Sequence, residues 1–253
     1  MKDLVRYHFK QYFKTNKPII PFTVLLASLY LLYATKPIEI VDSIMSACVF
    51  VFLITSWIGV TACNLENEVS EQIIILRIKS SKKYYYSHIF FLFYLSMLIA
   101  LVAIAVPIIL NALDGNHLFD KMAMVSDAAA KVTERDFGIP DILCAFALLT
   151  ATAFMGCSVG EISHPRVIKN RNIGILLIFL VDALSIAQVS LIEVLPAARL
   201  VLWMLPPVTK MLHFFSNEEY FPVLKVIVSV TILLIYSGIL SFIKVKILDN
   251  KKF

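Results

Sequence analysis

Glycine is scarce in this 253-residue chain, at seven residues, and none of them is followed by lysine. A phosphate-cradling loop needs that pair, so the chain carries no nucleoside-triphosphatase motif of its own. Charge is scarce as well: Asp, Glu, Lys and Arg make up 16% of the residues, against about 25% in soluble domains. The four cysteines (Cys48, Cys63, Cys144, Cys157) lie in or at the ends of apolar runs with no metal-motif spacing, and they read as packed thiols. The chain reads as lacking His-Glu-x-x-His and a nucleophile elbow. The five histidines (His8, His88, His117, His164, His213) read as scattered over both sides, and no pair of carboxylates is placed for acid–base work. Catalytic residues, metal ligands and a nucleic-acid module are therefore not expected.

Apolar residues fill the space, at 59% with a mean hydropathy of +0.82. Such a chain reads as an all-α integral membrane protein. The longest polar stretch is only about 111–140, so residues 1–253 form a single membrane domain. A bilayer core about 30 Å thick needs roughly 20 apolar helical residues. Six stretches qualify: 18–35, 43–63, 87–110, 141–162, 173–193 and 222–243. Helices satisfy their own backbone groups in hydrocarbon, and the alternation of a membrane barrel is missing. The segments 1–17, 64–86, 163–172 and 244–253 hold 16 Lys and Arg, whereas 36–42, 111–140 and 194–221 hold 6. The second group also carries Asp114, Asp120, Asp127, Glu134 and Asp136. The positive-inside rule then puts both termini in the cytoplasm.

The N-terminal "MKDLVRYHFKQYFKTNK" is basic, and the apolar run after it lacks a small-x-small cleavage site. Arg6, Lys10 and Lys14 recur every four residues, and Val5, Phe9, Tyr12 and Phe13 occupy the opposing arc. This pattern predicts either an interfacial amphipathic helix lying on the bilayer or a plain cationic anchor, ending near Pro18.

Between the second and third spans, Glu66, Glu68 and Glu71 precede the apolar run Ile73–Leu76 and Ile78, and Arg77, Lys79, Lys82 and Lys83 close it. Acids first and bases last suit the dipole of a helix beginning near Ser70. Ile73, Ile74 and Ile78 can share a face, which lipid or a groove on a cytoplasmic protein would cover equally well. Further along, "VLPAARLVLWMLPPVTKMLHFF" (194–215) is apolar for only about ten residues before Pro206-Pro207. It reads as two short helices dipping into the outer leaflet, with Trp203 and His213 at the interface, or as a surface loop.

Asp182 stands about nine positions into the fifth span. An ionised carboxylate there costs at least ~2.5–3.5 kcal/mol, so it lines a translocation path or is satisfied structurally by a neighbouring helix. In the fourth span Gly156-x-x-x-Gly160, with Thr152 one turn earlier, allows close helix approach within the subunit or across a dimer seam. Glu161 follows, leading into the short loop "SHPRVIKNRN", a possible second contact for a partner.

The stretch "ENEVSEQIIILRIKSSKKYYYSHIFFLF" resembles the loop between the second and third spans of ABC-2-type ABC transporter permeases. The amphipathic N-terminal helix, six spans and the broken apolar segment before the last one agree with that family. Ser70 stands where glycine is usual there, and the proline that often follows the apolar run is missing. Within the family the chain is most similar to permeases that export phenol-soluble modulins. The resemblance implies a non-catalytic subunit in a bacterial cytoplasmic membrane, paired with a second permease copy or paralogue. Two separate ATPase subunits would bring ATP and Mg and dock on a coupling helix carrying Glu68, Ser70, Glu71, Ile73, Ile74, Arg77, Ile78 and Lys79. It implies an amphipathic, cytotoxic peptide as cargo, with self-immunity as a consequence. A membrane enzyme or accessory protein without an ATPase is the alternative, and its sign would be polar residues converging at one depth, which the sequence does not reveal. A secondary transporter is third, since the two halves show no evident repeat.

Overall fold

The computed structural model describes residues 1–34, 40–65, 68–113, 138–168, 170–216, 218 and 220–250. The acidic loop with Asp114, Asp120, Asp127, Glu134 and Asp136 lies outside them, as do Glu66 and Asn217; Glu68 is described by its backbone alone. All the regular secondary structure among the described residues is helical, with no strand among them.

The chain begins with α1 (Lys2–Lys14), α2 (Ile19–Ala34), α3 (Ile40–Cys63), α4 (Glu68–Ile78) and α5 (Ser81–Leu113). It continues through α6 (Ile139–Gly160), a 3-10 turn (Glu161–Ser163), α7 (Arg171–Ile186) and α8 (Gln188–Val194). A second 3-10 turn (Pro196–Ala198), α9 (Arg199–Leu202), α10 (Val208–His213) and α11 (Val223–Asn250) complete it. α3, α5, α6 and α11 are long and apolar enough to cross a bilayer, and the candidate spans number six if α1–α2 and α7–α8 are each one bent span.

α1 meets α2 at 78°. Part of its apolar arc packs on protein: the Phe9 and Tyr12 rings stand edge-on to Phe91 of α5, at 4.9 and 5.7 Å between centroids. The cations Lys2, Arg6, Lys10 and Lys14 stay exposed, as does Phe13. Lys17 donates to the Asn64 carbonyl at 2.7 Å and ties the start of α2 to the end of α3.

The helix expected over 173–193 is broken in two. α7 stops at Ile186 and bends 65° into α8 without a proline or glycine at the corner. Polar side chains take up the freed backbone groups, which is how such a break is tolerated. Thr209 Oγ1 donates to the Ser185 carbonyl at 2.9 Å, and buried Gln188 donates to the Leu202 carbonyl. The segment expected to hold two re-entrant helices carries the end of α8, a 3-10 turn, α9 and α10; Trp203 is exposed.

The centre is the α3–α6 seam. A Cβ on Gly156 would collide with Thr55 Oγ1 and lie 2.5 Å from the Phe52 carbonyl oxygen. One on Gly160 would strike the Ser56 carbonyl and come within 2.8 Å of the Val60 nitrogen. The expected small-residue stripe thus packs inside the subunit. The sequence did not flag its counterpart on α3: Gly59, where a Cβ would meet the Cys157 carbonyl and lie 3.1 Å from the Cys157 Cα.

Candidate functional site: a buried ionic cluster beside α4

The end of α3, the start of α5, the end of α6 and the end of α11 meet at one end of the bundle, next to α1 and α4. There the chain buries charge. Glu161 Oε1 accepts from His88 Nδ1 at 2.8 Å and pairs with the Lys244 ammonium, all three side chains being at most 10% exposed. Lys244 also lies 3.9 Å from Cys63 Sγ, and that thiol donates weakly to the Glu161 carbonyl at 3.6 Å. α11 therefore does not stop at residue 243, where its apolar run was expected to end. It runs on to Asn250, and Lys244, counted in sequence among the solvated positive charges, is buried. Its partner explains why: a buried cation is tolerated only when paired and hydrogen-bonded.

A second acid lies beside the first. Glu71 of α4 accepts the Tyr85 hydroxyl at 2.9 Å, with Arg166 Nε at 3.5 Å and His164 Nε2 at 3.9 Å. Arg166 donates to the Tyr85 oxygen at 3.2 Å, which fixes the phenol between guanidinium and carboxylate. The Arg166 backbone N–H donates to His164 Nδ1 at 3.3 Å, so the neutral ring carries its proton on Nε2, toward Glu71. His8 Nε2 is 3.1 Å from Ser87 Oγ, whose own hydroxyl donates to the Tyr84 carbonyl at 2.6 Å. Ser87 is thus an acceptor for His8, and Nε2 bears the proton there too. Two carboxylates, Glu71 and Glu161, face two permanent cations, Arg166 and Lys244, and the cluster balances with its histidines neutral. A cavity of about 20 Å³ lies among His8, Cys63, Glu71, His88, His164 and Lys244. That is room for one water.

Burial, reinforced by His88 and Lys244, pushes the His8 pKa down to about 2. Burial likewise lowers that of His164 to about 3, with Lys244 and His88 adding to the effect. An unfolded histidine titrates near ~6.5. Below that pH the unfolded chain binds protons that the folded one refuses, so stability falls with acid by up to ~1.4 kcal/mol per pH unit for each histidine. The thermal midpoint in nanodiscs should drop between pH 7 and pH 5, and His8→Gln with His164→Asn should flatten the slope. A midpoint independent of pH would contradict this account.

Three of the five histidines are not scattered, while His213 is exposed on α10 and His117 lies outside the described residues. His8, His88 and His164 converge, and the convergence of polar groups that the sequence did not reveal is present. The signals were Glu161 just after a run of small residues and Lys244 between apolar Ile243 and Val245, each an ionisable residue at the edge of an apolar run. Their partners lie 73 and 83 residues away, out of reach of any local pattern.

The residues expected on an outward face of α4 divide. Ile73 is 60% exposed, and Ser70, Arg77 and Lys79 are exposed too. Glu71 is buried in the cluster. Ile74 and Ile78 turn inward, packed with Ile75, Tyr84, Tyr85, Val245 and Leu248, because the partners of Glu71 fix the rotation of the helix. Val69 and Leu76 are exposed in their place. Lys79 ends α4 at φ 57°, the left-handed conformation glycine usually supplies.

Asp182 is buried between α7 and α3, facing Ser56, and its Oδ1 has no hydrogen-bond partner among the described residues. It shares a face with Gly174, Ile178 and Ser185, opposite the exposed Leu176, Phe179 and Leu180. Gly156–Gly160 spells Gly-x-Ser-x-Gly, which the sequence reading passed over. The five residues sit on a continuous helix, with Ser158 Oγ donating to the Phe154 carbonyl at 2.9 Å, so they form no strand-to-helix elbow. No family model, curated protein or solved structure matches the chain.

Proposed function

We propose that this chain is the non-catalytic permease subunit of an ABC-2-type exporter, working with a second copy or paralogue and with two ATPase subunits that supply ATP and Mg. Both termini and α4 face the cytoplasm in this reading, and six spans cross the bacterial cytoplasmic membrane. One observation carries it. α4 is a short helix between two long apolar helices, anchored inward by Glu71 and Ile75, and it presents Val69, Ile73 and Leu76 outward along one stripe. A rigidly held helix with a free apolar stripe suits a groove on a partner. ATP-driven closure of the partners would displace α4 and bias the spans between two states. The cargo is an amphipathic peptide, as the family resemblance implies, and a span interior poor in charge suits it.

The test is co-expression with an ATPase encoded beside this chain. Ile73→Asp or Leu76→Asp, each placing a charge in an apolar groove, should abolish co-purification while leaving membrane insertion intact. Unchanged co-purification would sink the docking role.

The convergence of His8, His88 and His164 with two carboxylates favours a second reading, a membrane enzyme or accessory protein that works without an ATPase. The cluster is closed around about 20 Å³, and both acids are engaged by other side chains, which suits structure better than turnover. For Asp182, Asn keeps the shape and the contact to Ser56. Asp182→Asn should leave thermal stability within ~1 kcal/mol of wild type, because it removes an ionisable group with no cation beside it. A path-lining role predicts impaired export by the same variant, and wild-type export over a range of pH would end that role.

A further inference from the structure

We propose that the short segment after α6, residues 161–166, is the mechanical link joining α4 to α11, with Glu71 and Arg166 as the positioning pair at its α4 end. The purpose of this link rests on the reading of α4 as a docking helix; its geometry does not.

This segment touches helices that are remote from one another in sequence. Arg166 and His164 approach Glu71 of α4, and Glu161 holds both His88 of α5 and Lys244 of α11. Ser163 sits against α7, where a Cβ on Gly174 would lie 3.6 Å from Ser163 Cβ. α4 is held by apolar contacts as well: Ile74, Ile75 and Ile78 against Tyr84, Tyr85, Val245 and Leu248. The two kinds of contact respond differently to force. Dispersion contacts are numerous, individually weak and non-directional. A buried carboxylate held by a phenol and a guanidinium cannot shift its register without stranding charge, which is costly. A displacement applied to the outer face of α4 therefore passes through Glu71 into 161–166, and from Glu161 into Lys244. α5, the sequence neighbour of α4, receives it twice: directly at Tyr85, whose hydroxyl Glu71 accepts, and again at His88 through Glu161.

Amide hydrogen exchange on the chain in nanodiscs tests the link. Glu71→Gln and Arg166→Gln should each raise exchange about tenfold or more in three places: α4, 161–168 and the end of α11 at 245–250. The double variant should exceed the larger single by little, the signature of one shared interaction. Ile75→Val, which loosens only the apolar contact, should raise exchange in α4 and at its apolar partners around Val245 and Leu248 while leaving 161–168 unchanged. A rise confined to α4 in the Glu71 and Arg166 variants, or additive effects in the double, would overturn the link. Should Glu71→Gln fail to fold, Tyr85→Phe removes one donor to Glu71, keeps the ring, and should give the same three-place pattern more weakly.

With the ATPase present, Glu71→Gln should still form the complex, because Val69, Ile73 and Leu76 are untouched. The change in exchange that ATPγS induces at 245–250 in the wild type should disappear. If the wild-type chain forms no complex, the docking role of α4 falls, while the exchange pattern of the chain alone still decides whether the link exists.

Discussion

Lys244→Met should leave little folded protein to recover from the membrane. The substitution keeps most of the side-chain volume and removes the ammonium, so Glu161 stays buried with only the His88 ring beside it. Breaking a buried pair from one side costs about 3–5 kcal/mol, most of it the stranded charge. That is a large part of the total stability of many domains. The same reasoning predicts rescue. Glu161→Gln added to Lys244→Met removes the stranded carboxylate and leaves an amide that His88 can still bond, so the double variant should be more stable than Lys244→Met alone. Detergent-resistant monodispersity and thermal midpoints measure both. A double variant no better than the single would show that Lys244 acts through its packing and not through its charge.

The second large effect is expected at Gly160. Its Cβ would meet the Ser56 carbonyl, the Val60 nitrogen and the Gly59 Cα, all backbone atoms that cannot rotate away. Gly160→Ala should already cost about 1–3 kcal/mol by overpacking, and Gly160→Ile should abolish the fold. Gly238 of α11 provides the contrast, since a Cβ there meets nothing within 4 Å. Gly238→Ala should be neutral or stabilising by up to ~1 kcal/mol, because alanine is the better helix former. Equal thermal shifts at the two glycines would mean that the α3–α6 seam is looser than described.

The helices were legible wherever apolar length decides them. α3, α5, α6 and α11 follow from runs too long and too uniform for anything but buried or membrane helices, and Pro18 marked the turn between α1 and α2. The break after Ile186 was illegible because no proline or glycine announces it. Its cause is Thr209, a hydroxyl more than twenty residues downstream. α4 was legible as a helix but not in its rotation. Ile73, Ile74, Ile75, Leu76 and Ile78 cover most of its circumference, so apolar periodicity chooses no face. Glu71 chooses it, through Tyr85, His164 and Arg166, two of them more than ninety residues away. The ionic cluster was hidden for the same reason: Glu161 and Lys244 stand out as ionisable residues at the edges of apolar runs, but only the fold brings α1, α4, α5, the turn after α6 and α11 to one place. The glycines of α6 were visible as a spaced pair, but Gly59 stands alone on α3, and a single small residue is no motif.

The α3–α6 seam also divides the molecule into what can travel and what cannot. Ordinary helix pairs touch through side chains, which swing between rotamers and let one rod creep along another. Here peptide groups lie against peptide groups at Gly59 and Gly160, and at Gly156 the short Thr55 hydroxyl is the one side-chain group among the backbone atoms its Cβ would meet. Translating α6 along α3 by even part of a turn would drive the neighbouring side chains of Cys157 or Val159 into the space those glycines keep bare. The two helices therefore behave as a keel, a fixed body within the subunit. Any alternation of the protein between shapes has to be a swing of α2, α7 and α11 about that keel, with its bearings at the more exposed, side-chain-lined contacts around it.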